Sequence, residues 1–361
     1  MVLMCGFLPL GRAADSVPLS PSTTPAPRKV PAQSPALPLG TLEFGGPVVG
    51  ESVADIPSAA GAFFGRLVVP GQAQFQPRPP GSDFEMQLAL AQHQFSPGSL
   101  DGLIGPQTRA ALSAFQARHG LARTEVMDEP TRRVLLLKGP PLARIVVRQE
   151  DLFWLRPNRE TWLARSQADY LGYALLHEMM GELSRSHPRL IQKLNPNTDW
   201  ERVATGTVLT VPNARIPHPE AMAAYIRISL GERRIQVYDG DTNLIAHFPC
   251  SIGRLANQRP VGRLEVAVIA ENPNYTFDPK VFPESEEGRR LRRKLILPPG
   301  PNNPVGVAWI GLNREGYGIH GTPEPEKVGR TESHGCFRLA NWNAAQLLAR
   351  VWISMPVYVD P

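Results

Sequence analysis

The chain has 361 residues, 42% of them hydrophobic and 20% charged, the balance of a globular protein long enough for two or three domains. No run approaches the roughly 18 consecutive apolar residues of a membrane span, so none is expected. The formal charge of +5 favours polyanionic partners, and nucleic acid is set aside because neither zinc-finger spacing nor an aromatic strand motif occurs.

Residues 1–14 read as a signal peptide with a shortened start. Val2 to Leu10 is apolar and Arg12-Ala13-Ala14 supplies small residues for cleavage, while the basic leader is missing. Export to the periplasm or cell envelope is therefore expected. Residues 15–80 follow as a tether and a segment without clear elements; seven prolines fall between Pro18 and Pro38, a composition that stays extended and buries no core. With Cys5 in the leader, only Cys250 and Cys336 remain, far apart and in dissimilar contexts, so no disulfide scaffold is indicated. An unpaired cysteine in an exported chain calls for an explanation, and catalysis is one.

Residues 83–137 predict three short helices. The first covers 84–94, a turn falls at Asp101-Gly102-Leu103-Ile104-Gly105, and Pro106 opens the second helix where its missing N–H costs nothing. Leu112 and Phe115 share a face, Gly120 ends that helix, and Asp128 caps the third. Asp101-Gly102 with Gly105-Pro106-Gln107-Thr108, Ala111 and Ala114-Phe115-Gln116 resembles the peptidoglycan-binding three-helix domain.

Residues 166–213 form a second small unit. A helix is expected over Tyr170 to Leu183, another short one to open at Ser186 and Pro188, and a strand to lie at Val208 to Pro212. Leu194-Asn195-Pro196 through Trp200 and Gly206 to Val211-Pro212-Asn213 resembles the second half of a degenerate LysM module, a glycan binder. The strand and Gly-Asp-Thr-Leu turn of its first half are not found in the sequence.

From Tyr225 the pattern alternates with period two. Strands are expected at 226–230, 235–238, 244–252, 264–270, 307–311 and 356–359, with one clear helix at 341–351. The fold class expected is multidomain α+β, with a mainly β catalytic domain, a sandwich or barrel, at 224–360. Residues 272–301 interrupt it with Arg289, Arg290, Arg292, Arg293 and Lys294, either a lid over acidic substrate or a solvated helical face.

Two elements carry chemistry: Ile319-His320-Gly321-Thr322 and Ser333-His334-Gly335-Cys336-Phe337-Arg338. A free thiol, with pKa about 8.5, is mostly protonated near neutrality, and an imidazole that takes its proton leaves a competent thiolate paired with imidazolium. Gly335 allows a tight backbone whose amides meet a developing oxyanion. Arg338 is suited to a substrate carboxylate. A zinc site of His320, His334 and Cys336 is the competing reading, with three ligands and no paired C-x-x-C spacing.

The full pattern resembles the L,D-transpeptidase (YkuD-type) catalytic domain, supported by Ser251-Ile252-Gly253-Arg254, Pro260-Val261-Gly262 and Asn303-Pro304-Val305-Gly306. Arg259 stands where that family most often has Thr. The resemblance implies Cys336 as nucleophile, His320 as base and the Gly321 carbonyl as its orienting partner. Ser333, His334, Gly335 and the Cys336 amide would form the oxyanion site, with Arg338, Tyr317 and Thr322 binding substrate. It implies peptidoglycan stem peptides and glycan strands as partners and no metal or cofactor. Acceptor amine, acceptor water and a silent wall-binding scaffold all stay open, as does the oligomeric state.

Overall fold

The computed structural model describes residues 59–157, 159–216, 221–254, 259–282, 284–330 and 335–361. The leader, the proline-rich tether, Ser333 and His334 lie outside the described residues. Helix α1 (Ala59–Gly65) comes first and contributes Phe63 to the core of the middle unit described below.

The helical module follows as α2 (Asp83–Gln92), α3 (Pro106–Arg118) and α4 (Glu129–Val134). Each start has its own chemistry: Ser82 accepts from the amide of Glu85, Pro106 occupies the first turn of α3, and Asp128 accepts from the amide of Thr131. Gly120, at φ 65°, takes the left-handed position just beyond α3. Leu88, Leu90, Leu112, Phe115 and Leu135 fill the core. Buried Gln87 pins the Asp101–Gly102 turn, its Oε1 accepting from both amides at 3.0 and 2.8 Å.

The middle unit pairs β1 (Leu142–Val146) antiparallel with a later strand, β2 (Val208–Pro212). Between them run α5 (Gln149–Phe153), α6 (Trp162–Ser166), α7 (Leu176–Leu183) and α8 (Pro188–Leu194). The reading of 166–213 therefore missed its opening strand. Leu142 to Val146 is a five-residue run whose partner lies about 60 residues away (an order that follows from the β1–β2 register), so no local pattern marks the pairing. The helix expected from Tyr170 also begins later, at Leu176.

The catalytic domain contributes β3 (Tyr225–Ser229), β4 (Arg234–Tyr238), β5 (Leu244–Pro249), β6 (Gly262–Glu271), β7 (Tyr275–Phe277), α9 (Glu286–Leu291), β8 (Leu295–Leu297), β9 (Ala308–Leu312), β10 (Gly318–His320), β11 (Phe337–Arg338), α10 (Asn341–Leu348) and β12 (Pro356–Asp360). Eight strands form one mixed sheet in the order β11-β10-β9-β6-β12-β3-β4-β5. Ser251, just past β5, pairs antiparallel with Arg338 of β11, so the curled sheet closes on itself. Ile226, Ile228, Val237, Phe248, Ile310, Ile319, Phe337 and Val357 fill its interior, with Leu347 of α10 covering one end. The whole is α+β, a curled, mainly β catalytic domain joined to helical units.

The helical module is docked on this sheet rather than held apart from it. The Ser96 amide donates to the carbonyl of His247 at 2.8 Å, and Asn343 of α10 donates to Ser96 Oγ at 3.0 Å. Among the described residues no helix is long and apolar enough to cross a membrane.

Candidate active site

Strand β10 places His320 and β11 leads away from Cys336. The two strands are parallel, with Ile319 opposite Phe337 and His320 opposite Arg338. Side chains alternate along a strand, so the burial of Ile319 and Phe337 in the core sends His320, Cys336 and Arg338 to the other face. Charge confirms this grouping: the Arg338 guanidinium depresses the pKa values of both the imidazole and the thiol.

The imidazole of His320 is almost fully enclosed and stacks on Trp309 with ring centroids 5.7 Å apart. Nδ1 donates to the carbonyl of Gly321 at 2.6 Å. A carbonyl only accepts, so Nδ1 bears the hydrogen and Nε2 keeps its lone pair. Burial, with Arg338 adding to it, pushes the imidazole down to about 3, against the pull of the Gly321 carbonyl. Burial likewise raises the Cys336 thiol to about 11, against a hydrogen bond from the Gly318 backbone and the charge of Arg338. Both shifts favour the neutral forms, thiol and imidazole. Burial thus weighs against the thiolate–imidazolium pair expected from sequence, because it disfavours the charged form of each group.

Cys336 is half-buried and its Sγ donates to the carbonyl of Gly316 at 3.4 Å. Gly335 lies against the ring of Tyr317, over which Arg314 is stacked at 4.7 Å. Gly253 faces Gly335 so closely that a Cβ there would stand 3.0 Å from its Cα, which accounts for glycine in Ser251-Ile252-Gly253. Thr322 is buried and committed to its own loop: its amide donates to Asn341 Oδ1 and its hydroxyl accepts from the Glu324 amide.

The turn after His320 is built around Asn341. Its Oδ1 accepts from the amides of Thr322 at 3.0 Å and Val307 at 3.3 Å. A Cβ on Gly321 would sit 2.2 Å from that oxygen, and one on Gly306 1.9 Å. Glycine is thus required on both sides of the amide. Asn341 was visible in the sequence only as the start of a helix.

The insertion at 272–301 supplies another residue that motif reading missed. Tyr275 of β7 stands near enough to Cys336 for the thiolate charge to raise its phenol, an effect second to burial. Strands β7 and β8 pair antiparallel, and Phe277, Leu295 and Leu297 form an apolar base with Leu171 of the middle unit. Trp162 stacks on Phe277 at 4.3 Å and 14°, and Glu287 accepts from the amides of Trp162 and Leu163. The basic residues lie on the outer side, with Arg289, Arg290, Arg292 and Arg293 exposed and Lys294 paired to Asp278 at 3.5 Å. The solvated basic face expected for this segment is present, on a hairpin that lies near the thiol.

Family models match two parts of the chain: the L,D-transpeptidase catalytic domain over residues 223–359 and a peptidoglycan binding domain over residues 84–135. Over residues 223–359 the chain is thus similar to L,D-transpeptidase catalytic domains. Similar proteins carry that description. A Bacillus licheniformis L,D-transpeptidase of the YkuD name is 25% identical over 177 residues, 49% of this chain and 88% of that protein. "Probable L,D-transpeptidase YbiS" of Escherichia coli is 31% identical over 173 residues, 47% of this chain and 55% of that protein. The chain thus spans about half the length of that relative. Among solved structures, L,D-transpeptidase 3 of Mycobacterium tuberculosis is 18% identical, with a TM-score of 0.31 over 44% of this chain and 77% of that one. Among the described residues, no group of three or more His, Cys, Asp or Glu side chains is placed to hold a metal ion.

Proposed function

We propose that the chain is a peptidoglycan L,D-transpeptidase of the cell envelope that uses Cys336 as nucleophile and His320 as base. The observation that supports this reading is the shared face of the β10–β11 strand pair, which carries both a half-exposed thiol and an imidazole whose free nitrogen is fixed by the Gly321 carbonyl. Cys336 Sγ attacks the carbonyl joining the third residue of a tetrapeptide stem to its terminal D-alanine. The proton passes to His320 Nε2 as the C–S bond forms, and then to the amine of the departing D-alanine as the C–N bond breaks. An amine of a second stem attacks the thioester, gives its proton to His320, and releases the thiol. The product is a 3→3 cross-link, or an anchored molecule when the amine belongs to one.

The proton moves with the attack because a preformed ion pair is disfavoured in this enclosed site. Gly335, the Cys336 amide, Ser333 and His334 are assigned to the developing oxyanion. Arg338 and Tyr317 are assigned to substrate; Thr322, given its internal bonds, serves through the backbone of its turn. The module at 84–135 holds the enzyme to the wall, and the middle unit is a LysM-like element whose apolar exposed residues, such as Val146 and Val208, sit on its strands. A leader at residues 1–14 and the tether after it fit action outside the cytoplasm.

Incubation of the full chain with a tetrapeptide-stem muropeptide, read by mass spectrometry, tests the reaction. Cross-linked dimer is expected. Tripeptide alone would make the chain an L,D-carboxypeptidase, and unchanged substrate would leave a wall-binding scaffold.

A further inference from the structure

Building on His320 as the base, we propose that Glu182, in the middle unit, is a positioning residue for acyl transfer that fixes the His320–Thr322 turn through Asn341.

Helix α7 has two working faces. Leu176, Met179, Met180 and Leu183 enter the core of the middle unit, at the spacing of one helical face. Glu178 and Glu182, one turn apart, both reach the catalytic domain instead. Glu178 Oε1 accepts from Asn302 Nδ2 at 3.0 Å, and Glu182 Oε1 accepts from Asn341 Nδ2 at 2.9 Å. The hydroxyl of Tyr173 donates to the same Glu182 oxygen at 3.0 Å.

The amide of Asn341 is consequently satisfied at every point that matters. Nδ2 donates to Glu182 and to the carbonyl of Pro301 at 3.0 Å, while Oδ1 accepts from Thr322 and Val307. Glu182, with the Pro301 carbonyl beside it and the Thr322 and Val307 amides opposite, holds that amide facing one way. Were Asn341 reversed, its NH₂ would oppose the N–H groups of Thr322 and Val307, leaving buried donors without acceptors. The turn it holds includes Gly321, whose carbonyl fixes the His320 ring at 2.6 Å. Glu182 therefore acts at one remove from the base, from an element outside residues 223–359.

The carboxyl is enclosed. Tyr170 and Tyr173 face it from the segment before α7, Glu178 from α7, Glu326 from the turn at Pro325–Lys327, and Asn341 from α10. Burial, reinforced by Glu178 and Glu326, raises it to about 8 against the hydrogen bonds of Asn341 and Tyr173. A protonated carboxyl still presents Oε1 as an acceptor, so a glutamine amide oxygen can take its place.

The test uses the full chain with Glu182→Leu, Glu182→Gln and Asn341→Asp, reading donor kcat and KM and the imidazole N–H resonance of His320. Glu182→Leu is expected to lower kcat roughly 10- to 100-fold while KM stays within about twofold, and to shift or broaden the His320 signal. Glu182→Gln should recover most of the rate. Asn341→Asp keeps the acceptors for Thr322 and Val307 but loses the donors, and adding Glu182→Gln, whose NH₂ can donate to the new carboxylate, should restore both rate and resonance. This swap remains decisive where the leucine variant does not fold. A folded Glu182→Leu protein with wild-type kcat and His320 resonance would overturn the proposal, as would a loss confined to KM or a double variant no better than Asn341→Asp. The resonance is read without turnover, so an inactive wild type whose His320 signal still responds to Glu182 would sink the reaction scheme alone.

Discussion

Cys250 and Cys336 lie on either side of the seam where Ser251 pairs with Arg338, and the same side chain meets two environments there. Cys250 precedes Ser251 and turns into the core among Phe248 and Ile252, wholly enclosed, with its thiol pushed up to about 12 by burial. Cys336 precedes Phe337 and turns the other way, half-exposed, beside Arg338 and across the strand pair from His320. Strand parity, not residue type, separates a packing group from the proposed nucleophile. The surroundings then differ in kind: apolar side chains on one side, backbone amides, a guanidinium and an imidazole on the other.

The largest effect should come from exchanging the two thiols in turn. Cys336→Ala is expected to abolish covalent capture of a carbapenem by intact-mass spectrometry, leaving no adduct. Cys250→Ala should retain capture and instead lose about 1–3 kcal/mol of stability in a denaturant titration, the cost of a small cavity in a packed core. An adduct surviving on the Cys336→Ala protein would erase the distinction between the two sides.

A change of one methyl group on the functional side comes next. Gly321→Ala places a Cβ 2.2 Å from Asn341 Oδ1 and 3.2 Å from the Gly306 Cα, so either the Asn341 amide or the backbone must give way. The Gly321 carbonyl moves with it. We expect a loss of roughly 100-fold or more in the acylation rate with the fold retained, since misplacement of about 1 Å suffices for that. Acylation followed by stopped-flow absorbance, with circular dichroism as the folding control, reads this. A near-normal rate would show that the turn has slack and that the carbonyl does not set the imidazole.

The functional side was the more legible in sequence. His320 and Cys336 stand in short motifs, and the alternation at 226–230, 235–238 and 356–359 marked strands whose apolar residues fill one face. Of the three helices at 83–137, the first announced itself through its apolar spacing and the other two through Pro106 and Asp128 at their starts. What stayed hidden is long-range. β10 and β11 are three and two residues long and exist through their neighbours rather than through any pattern of their own. β1 waits for a partner beyond four helices. Glu182 looks like any polar residue on an amphipathic helix until Asn341 arrives opposite it, and Tyr275 looks like insertion sequence until the hairpin folds beside the thiol. The burial that weighs against the ion pair expected from chemistry alone was hidden for a related reason: the degree of enclosure is a property of the assembled site.

That enclosure gives the smallest and most specific test. Both thiols are raised above the ordinary thiol value, Cys336 to about 11 and Cys250 to about 12. Iodoacetamide reacts with the thiolate, and of the two described cysteines only Cys336 is open to it. At pH 7 a thiol of pKa about 11 is ionised in roughly one molecule in 10,000, so alkylation of Cys336 should be slow and should quicken about tenfold per pH unit toward pH 10. A thiolate held by imidazolium would behave in the opposite way, reacting fast and nearly pH-independently from pH 6 upward. Replacing His320 by Gln separates the two further. In the neutral-pair site the slope with pH stays as it is, because no imidazolium was holding the thiolate; in an ion pair the plateau would vanish. Peptide mapping of the alkylated chain assigns the label, and label on Cys250 at the same rate as on Cys336 would show that the core face of the seam opens as readily as the other.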